Sequence, residues 1–521
     1  MNETTKMPKD ANPEAIAACT APGEAVAMSF AQQQLWFLQN LDPQLTAYNL
    51  PRVFRMKGAL DADALERAFQ ALVERHAVLR TRFFIRDGAA LQTVQAEAAF
   101  GIERIDLRSE APASREEKLD DVVRRTVSHV FDLDVAPALV ARLVRLADDE
   151  HVLAICLHHI VSDAWSNPIL AKDLADAYAA ALRAPGAVHL PALPLQYVDY
   201  ARWQRERVAS GAMQRDLDHW NAHLGSEVPA LELPTDHARP EQLGFDGAAT
   251  HFALEAPLCE ALLKFCRAER STPFVVMFAA WQVVLARYSG QYDFAVGVPS
   301  AGRHREELHG MLGFFVTTQV FRARLAPQMS LREICRQVRG DVLAALDHAD
   351  LPFDVLLASR TDRREAGRTP LFQVMFGLQM EDGAQGPVLE GLDVRQMERP
   401  HHSAKFELSL DLTISGSRVT GQLEYNTALY DRTTVDRMAK AYLEVLKQLA
   451  TDAECRVGNF DLLDAPDRQQ LQAWENGEKG NPDFEPVHRF FERQASVRPD
   501  AIALVFGDQA LSYAELNRRA N

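Results

Sequence analysis

A continuous apolar run that ends in two histidines is the feature that most restricts the fold of this chain. Residues Val152–Leu157 (VLAICL) are all apolar, a pattern typical of a strand buried on both faces. His158 and His159 follow at once, and Ser166 and Pro168 then provide the cap and first turn of a long helix. The order strand, loop, helix favours an α/β fold.

The same alternation of patterns recurs along the rest of the sequence. A 521-residue chain exceeds the size of one hydrophobic core, so we expect two or three domains. The run Phe274–Ala286 follows a Ser-Thr-Pro helix start and predicts a buried core helix. Further predicted helices are Leu65–Val78, Leu258–Cys266, Leu331–Leu346 and Thr433–Leu449, and further predicted strands are Phe294–Val298, Phe372–Gln379 and Val419–Tyr425.

Stretches without periodicity divide the chain into segments. Two α/β lobes of similar size are predicted between an aperiodic leader and a polar linker. After the linker, apolar runs on either side of a Gly-Asp turn predict a β-hairpin in a new unit. The predicted boundaries are a mobile leader at 1–27, lobes at 28–190 and 191–453, a linker at 454–482 and a further domain beginning at 483 and running to 521.

Charge and cysteine usage exclude several functional classes. The formal net charge of -16 repels nucleic acid and anionic lipid. The longest apolar run is too short to span a bilayer, and the N-terminus lacks the apolar stretch of a signal peptide. The six cysteines show neither CxxC spacing nor the density of a disulfide scaffold. We therefore expect a cytoplasmic protein with reduced thiols and no nucleic-acid or membrane partner.

The segment HHIVSDAWS is the strongest candidate for chemistry. Histidine can accept a proton near neutral pH, and the end of a buried strand holds it rigidly. A satisfied core histidine and a metal ligand are the alternatives. Adjacent strand residues point to opposite faces, so His158 and His159 cannot easily bind one ion, and no metal site is predicted. Asp163 stands four residues after His159.

The segment resembles the HHxxxDG signature of condensation domains from nonribosomal peptide synthetases. Further motifs of that family follow in the expected order over residues 28 to about 450, which makes the resemblance far more specific than one motif. These motifs are SFAQQQLWFLQ from Ser29, RHAVLRTRF from Arg75, YVDYARWQ from Tyr197, VGVPSAGRHREEL from Val296, LGFFVTTQVFR from Leu312, HADLPFDVLL from His348, RTPLFQVMF from Arg368, AKFELSLDL from Ala404 and EYNTALYD from Glu424. Residues 483–521 resemble the start of an adenylation domain.

The resemblance implies a fold and a set of site residues. The family fold resembles two chloramphenicol-acetyltransferase-like lobes in a V-shaped pseudo-dimer with a central tunnel. His159, His158 and Asp163 are then the catalytic residues of the signature. His159 acts on the amine, His158 is expected to fix the loop, and Asp163 is expected to pair with Arg303. The implied tunnel residues are Ala164, Trp165, Ser166, Thr317 and Gln373.

Two positions depart from the family pattern. Ala164 replaces the usual glycine of HHxxxDG, and Thr317 replaces the usual asparagine of FVNT. If position 164 requires a positive φ, alanine costs on the order of 1 kcal/mol there. The departures bear on the loop and on the acceptor pocket, not on the histidines.

The resemblance implies an acyltransferase that forms an amide bond. The expected partners are an acyl-CoA or acyl-carrier donor, a downstream peptidyl carrier domain and an adenylation domain in the same chain, and a monomer is expected. Phosphopantetheine arms and coenzyme A bring the substrates, and no cofactor is bound permanently. Because about 27 residues precede the first motif, we expect a starter domain that acylates the first amino acid of a lipopeptide.

Three alternatives remain within the same fold. An elongation domain takes a peptidyl or aminoacyl thioester from an upstream carrier. An epimerisation domain carries the same histidine signature but follows a carrier domain in its chain. A non-catalytic recruitment module typically loses the histidines, which are present here.

Overall fold

The structure is a computed structural model that describes residues 15–18, 21–184, 186–360, 367–380, 386–397, 403–463, 465–476 and 486–521. The chain divides into two compact units, Met1–Leu462 and Leu463–Asn521, which are described separately. Within the described ranges, no helix is long and apolar enough to cross a membrane.

The first lobe is built from the N-terminal elements and one strand that comes late in the chain. Its elements are β1 (Ala25–Ala27), α1 (Phe30–Leu41), β2 (Asn49–Gly58), α2 (Ala62–Arg75), β3 (Thr81–Arg86), β4 (Ala89–Val94), β5 (Glu103–Asp106), α3 (Pro112–Val127), β6 (Leu139–Ala147), β7 (Glu150–His158), α4 (Ser166–Arg183), α5 (Tyr197–Ala209) and the late strand β12 (Leu392–Gln396). The larger, mixed sheet has the strand order β12-β2-β7-β6-β5, and the smaller sheet has the order β1-β4-β3. Helices pack on both sides of the larger sheet.

Strand β7 lies in the middle of this sheet and is buried on both faces. Leu153, Ile155 and Leu157 point into the main core of the lobe, and Val152 and Ala154 pack against a second core beneath α3. Two covered faces explain why the sequence shows a continuous apolar run rather than an alternation. The predicted strand at Val152–Leu157 is confirmed.

The second lobe holds the remaining elements of the first unit. They are α6 (Gln214–Leu224), β8 (Gly247–Ala253), α7 (Ala256–Ala268), α8 (Pro273–Ser289), β9 (Asp293–Ser300), β10 (Thr317–Arg324), α9 (Leu331–Leu346), α10 (Phe353–Ala358), β11 (Val374–Met380), β13 (Leu408–Ser415), β14 (Arg418–Asn426) and α11 (Arg432–Thr451). The strands form one sheet with the order β10-β9-β11-β13-β14-β8.

Helix α8 is the central helix of this lobe and confirms the predicted core helix. The hydroxyl of Thr272 accepts a hydrogen bond from the backbone N–H of Val275, and Pro273 occupies the first turn. Residues Val275–Ala286 are buried around the whole circumference of the helix. Gly290 ends the helix in the left-handed conformation that glycine adopts without strain.

The two lobes exchange chain segments, which corrects the predicted boundary at residue 190. Tyr197, Tyr200 and Trp203 of α5 belong to the hydrophobic core of the first lobe, so the change of core follows α5. Strand β12, although it comes late in the chain, pairs antiparallel with β2 and forms the edge of the first-lobe sheet. The lobes therefore share one covalently interleaved body.

The ends of this body also differ from the predicted leader and linker. β1 pairs with β4, so residues 25–27 of the predicted mobile leader are part of a sheet. At the other end, Val457 and Phe460 are buried in the core of the second lobe, and the N–H of Val457 donates to the Met329 carbonyl at 2.9 Å. The predicted linker thus begins too early, because apolar side chains anchor it to residue 462. Residues 1–14, 19–20, 464 and 477–485 lie outside the described residues.

The second unit confirms the predicted hairpin. The unit consists of α12 (Ala465–Asn476), α13 (Val487–Val497), β15 (Ile502–Phe506), β16 (Gln509–Ser512) and α14 (Tyr513–Ala520). β15 pairs antiparallel with β16 across the Gly507-Asp508 turn. Since α12 occupies 465–476, the described part of the predicted linker is helical.

Candidate active site

The histidine pair lies where β7 ends and a short helical turn, His159–Val161, begins. The backbone N–H of His158 donates to the carbonyl of Ala138 at 3.1 Å, and that of His159 donates to the carbonyl of Tyr48 at 2.8 Å. The backbone hydrogen bonds at the end of β7 therefore hold both residues in place. Because the chain changes from strand to helical turn between them, the two side chains point in different directions.

The side chain of His158 is bound within its own loop. Its side chain is 1% exposed, and its Nδ1 accepts a hydrogen bond from the backbone N–H of Ile160 at 3.1 Å. An accepting Nδ1 carries no proton, so the neutral ring is protonated on Nε2. The ring of Phe131 meets it edge-on at 5.8 Å between centroids. His158 thus caps the turn that presents its neighbour.

His159 has the opposite tautomer. Its Nδ1 lies 2.7 Å from the carbonyl oxygen of Ser162, which can only accept, so Nδ1 carries the proton. The lone pair is therefore on Nε2, the nitrogen farther from the backbone. The side chain is partly exposed and packs against the Phe314 ring at 4.6 Å between centroids. Of the two rings, His159 presents a basic nitrogen that no hydrogen bond within the described ranges occupies.

Both imidazoles are neutral at physiological pH. Burial lowers the pKa of His158 to about 3, and the positive charge of Lys405 contributes. Burial likewise lowers the pKa of His159 to about 3, with Lys405 as the second cause. A neutral His159 can accept a hydrogen bond at Nε2, but it holds an added proton poorly.

Asp163 is the centre of a buried polar cluster that also contains Ser166 and Arg303. We call this cluster the lock, because it joins two loops. Its Oδ1 accepts from the backbone N–H of Ser166 at 2.9 Å and from the Ser166 hydroxyl at 2.7 Å, and its Oδ2 accepts from the backbone N–H of Phe315 at 3.1 Å. Nη2 of Arg303 lies 3.1 Å from Oδ1. The carboxylate, and not Ser166 as the sequence suggested, therefore caps α4.

Arg303, in the loop between β9 and β10, completes the lock. Its side chain is fully buried, and its Nη1 donates to the carbonyls of Leu308 and Met311, each at 2.7 Å. The guanidinium stacks 4.0 Å from the centroid of the Phe315 ring. Because one guanidinium binds the Asp163 carboxylate and the carbonyls of Leu308 and Met311, the histidine loop and the loop between β9 and β10 are held in register.

Gly302 makes this approach possible. Its φ is +65°, and a Cβ built there would lie 2.1 Å from the Phe315 carbonyl oxygen. Both the backbone conformation and the close contact exclude a side chain.

The sequence profile of the condensation-domain family, described as "Condensation domain", matches residues 23–472. The chain belongs to the condensation-domain family.

Among curated proteins, the chain is similar to a linear gramicidin synthase protein of Brevibacillus parabrevis. The two are 36% identical over 497 residues, which are 95% of this chain and 10% of that protein. This condensation-domain chain therefore spans about a tenth of the length of the relative.

Solved structures share the two-lobed fold. The X-domain in a complex with OxyB from teicoplanin biosynthesis is 26% identical, with a TM-score of 0.78 over 86% of this chain and 98% of that chain. A four-domain nonribosomal peptide synthetase bound to AMP and glycine is 20% identical, with a TM-score of 0.79 over 95% of this chain and 38% of that chain. The predicted α/β class with chloramphenicol-acetyltransferase-like lobes is confirmed.

The residues predicted to line a tunnel in this condensation domain separate into two groups. Ala164 and Trp165 are exposed beside the histidine loop, and Trp165 Nε1 donates to the His309 carbonyl at 3.3 Å. Thr317 lies with Phe315 and Asp354 around a cavity of about 80 Å³ between α1, α5 and α10. These three predicted positions are open to a ligand.

Ser166 and Gln373 do not line a channel. The Ser166 side chain is fully buried, and its hydroxyl is used by Asp163 and Arg303. Gln373 is 4% exposed, because its Oε1 accepts from the backbone of Leu231 and its Nε2 donates to the Thr369 carbonyl. Both predictions are wrong for the same reason: the polar group already has internal partners.

The replacement of glycine by Ala164 causes no backbone strain. In the described part of the chain, the residues other than glycine with positive φ are Asp87, Arg270 and Leu371. Ala164 does not adopt a positive φ, so the free-energy cost of about 1 kcal/mol expected for alanine in that conformation does not arise.

One site residue was missed by sequence reasoning. Lys405 of the AKFEL motif lies close enough for its charge to act on both histidines, and its Nζ lies 5.3 Å from the centroid of the Tyr48 ring. The motif was recognised, but a lysine on a strand entry carries no signal that it faces a distant loop. No group of three or more His, Cys, Asp or Glu side chains within the described ranges is arranged to hold a metal ion.

Proposed function

We propose that this condensation domain joins an acyl thioester to the amine of a carrier-bound amino acid. The observation that carries the proposal is the free Nε2 lone pair of His159, fixed by the Nδ1 hydrogen bond to Ser162. Neighbouring His158 cannot substitute, because its Nδ1 already accepts from Ile160.

The lowered pKa of His159 favours an orienting role over that of a base that stores a proton. The amine nitrogen attacks the thioester carbonyl carbon, and its N–H donates to Nε2 of His159 during the attack. Because the lowered pKa of His159 disfavours an imidazolium, the proton passes on to the leaving thiolate as the tetrahedral intermediate collapses. The amide and a free thiol are the products.

Positioning supplies much of the expected rate. Substrates attached to long arms are delivered to one point, so much of the entropy of encounter is lost before reaction. The lock of Asp163 and Arg303 keeps the histidine turn rigid while the arms enter. We assign no permanently bound cofactor, and phosphopantetheine arms carry the substrates.

We further propose that the donor is acyl-CoA, so that the chain acts as a starter domain. Coenzyme A and a loaded carrier end in the same phosphopantetheine thiol, so one donor channel can accept either thioester. The product is an N-acyl aminoacyl carrier, the first intermediate of a lipopeptide, formed by a cytoplasmic monomer.

Elongation is the second candidate, and one observation favours it. The similar gramicidin protein is by name one component of a synthase built from several chains. A component that acts after another one receives its donor on a carrier protein, not on coenzyme A.

Residues 483–521 are proposed as the beginning of an adenylation domain. Besides the sequence resemblance, the hairpin exposes large apolar side chains, among them Ile502 at 65% and Phe506 at 83%. Such exposure is typical of an element that packs against further structure.

The test combines the purified chain, an aminoacyl-loaded carrier domain and acyl-CoA thioesters of several lengths, with mass spectrometry of the carrier. A mass gain equal to the acyl group supports condensation with acyl-CoA. Product only after addition of an acylated or peptidyl carrier replaces the starter assignment by elongation. Deuterium uptake at Cα without acylation indicates epimerisation, and no reaction with any donor indicates a recruitment module.

His159→Ala tests the role of the histidine. We expect a folded protein with about 10²- to 10⁴-fold slower amide formation. His189→Ala is the matched control, because the His189 side chain is 77% exposed and belongs to no part of the site. A full rate in the His159 variant contradicts the proposal.

A further inference from the structure

We propose that the ammonium group of Lys405 binds the carbonyl oxygen of the donor thioester and stabilises the oxyanion that forms when the amine attacks. The inference rests on the proposed amide-forming function and adds a second group that touches the reacting atoms.

The backbone around Lys405 is fixed by its neighbours. Arg239 binds the buried carboxylate of Glu407 through both Nη atoms, each at 2.8 Å. The N–H of Ala404 donates to the Phe245 carbonyl at 2.9 Å. Gly247 packs so closely that a Cβ there would lie 2.4 Å from the Ala404 nitrogen. The residue between these anchors therefore has a defined direction.

That direction is toward the histidine turn of the other lobe. Lys405 Nζ lies over the ring of Tyr48, 5.3 Å from its centroid. The carbonyl of the same tyrosine accepts the backbone N–H of His159. Tyr48 therefore places the ammonium at the end of the sheet where the reaction is proposed, and its positive charge helps to lower the pKa of both His158 and His159.

The ammonium makes no hydrogen bond and no ion pair within 4.0 Å among the described residues, although the side chain is partly buried. Burial lowers the pKa of Lys405, and the negative charges of Glu424 in β14 and Asp411 in β13 oppose this shift. A partly buried ammonium that no carboxylate of the described residues holds directly is free to donate to a ligand that enters the site. The partly negative oxygen of a substrate carbonyl is a ligand of the right charge.

The chemistry of the attack supplies this oxygen. As the new C–N bond forms, the carbonyl π electrons move to oxygen, which becomes anionic, and they return when the C–S bond breaks. His159 faces the N–H of the amine, and Lys405 faces the oxygen. A cation that is already held in position stabilises this charge without reorganisation. The lysine keeps its proton throughout.

Three variants test the assignment in the condensation assay. Lys405→Met removes the charge and keeps the length, and we expect kcat to fall about 10²- to 10³-fold with little change in KM. Lys405→Arg restores a cation and is expected to recover at least about a tenth of the wild-type kcat. Lys172→Met is the matched control, because the Lys172 side chain is 72% exposed and pairs with Asp176; it should react like wild type.

The pH profile gives a readout that a structural role would not move. The titratable groups that face Lys405 are Tyr48, His158, His159, Glu424 and Asp411. Since the lysine is protonated below its lowered pKa, wild-type kcat should decline at alkaline pH as the ammonium is lost. In Lys405→Met this decline should be absent, and in Lys405→Arg it should move to higher pH.

Each other outcome overturns the proposal. A wild-type kcat in Lys405→Met excludes an oxyanion contact, and a raised KM at unchanged kcat assigns the lysine to ground-state binding. Lys405→Arg no faster than Lys405→Met shows that charge is not the cause. If wild type itself forms no amide from any donor, the proposed function fails first, so the two failures are distinguishable.

Discussion

At the scale of single residues, the backbone assigns different tasks to two chemically identical side chains. Ile160 donates to His158 and Ser162 accepts from His159, so each ring is fixed in the tautomer its neighbour does not have. Only one of the two can offer a lone pair to a substrate. The backbone N–H of Ile160 and the backbone carbonyl of Ser162 are sufficient to give the two histidines different roles.

Burial of His158 predicts a loss of stability in acid. In the unfolded chain a histidine gains a proton below about pH 6.5, whereas folded His158 stays neutral down to about pH 3. The stability contributed by the neutral ring is therefore complete above about pH 6.5 and falls by about 1.4 kcal/mol per pH unit below it, or about 2 kcal/mol at pH 5.

Urea unfolding between pH 7 and pH 4.5 measures this effect. In His158→Asn the amide oxygen can still accept from Ile160, so the chain should fold, and its free energy of unfolding should depend on pH with about one proton less than wild type. His189→Asn, at an exposed position, should keep the wild-type slope. Equal slopes in all three proteins would mean that His158 is protonated in the native state.

The site residues that sequence could find were those whose spacing is itself a constraint. His159, Asp163 and Arg303 lie in motifs, and the structure brings the last two together at 3.1 Å. Ser166 and Gln373 could not be assigned correctly, because a hydroxyl or amide in a motif looks the same whether it faces a channel or an internal partner. Lys405 depends on how the second lobe approaches Tyr48, which is a tertiary relation.

At the scale of elements, the loop after β9 depends on one glycine. Gly302 and Gly290 have nearly the same φ, +65° and +71°, but a Cβ meets the Phe315 carbonyl at 2.1 Å only at 302, and nothing within 4 Å at 290. A comparison of Gly290 with Gly302 therefore distinguishes the cost of the left-handed backbone conformation from the cost of a steric clash.

Alanine substitutions at these two positions should therefore differ. Gly290→Ala should lower the free energy of unfolding by about 1 kcal/mol, the cost of the left-handed conformation alone. Gly302→Ala should cost about 1 to 3 kcal/mol more, because Phe315 must move, and it should also slow the reaction by disturbing Arg303. Denaturant titration of both variants measures the difference. Similar losses in the free energy of unfolding would mean that a methyl group fits beside Gly302 without a clash.

The lock between the loops predicts large effects from small deletions. Asp163→Ala and Arg303→Ala each leave a buried charge without its partner, and each should cost about 3 to 5 kcal/mol. Asp176→Ala breaks an exposed pair with Lys172 and should cost less than about 1 kcal/mol. Thermal and urea unfolding measure all three, and wild-type stability in either lock variant would contradict a buried pair.

Helices and strands were predictable where burial is simple. β7 and α8 are covered on all sides, so continuous apolar sequence was sufficient. The helix predicted at Leu65–Val78 begins at Ala62 and ends at Arg75, because Asp61 caps it and the chain tightens into a short helical turn at Ala77–Arg80. Boundaries set by caps are less visible than the interior.

At the scale of the whole molecule, the end of the folded body can be tested by truncation. Chains ending at Ala453 and at Leu462 differ by a segment that buries Val457 and Phe460 and pairs with residues 327–332. The shorter chain should be less stable by roughly 3 to 6 kcal/mol, from the loss of two buried side chains. Calorimetry compares the two chains directly. Equal melting temperatures would mean that residues 454–462 do not stabilise the folded body and act as a linker.

The pairing of β12 with β2 has a consequence for synthesis on the ribosome. β2 is complete at Gly58, but the strand that covers its edge begins at Leu392. At ordinary translation rates the intervening chain takes roughly 15 to 70 s to emerge. Throughout that time the nascent first lobe presents an open strand edge, which invites pairing with neighbouring chains. Completion of the first-lobe sheet therefore waits until the chain has been synthesised beyond residue 396.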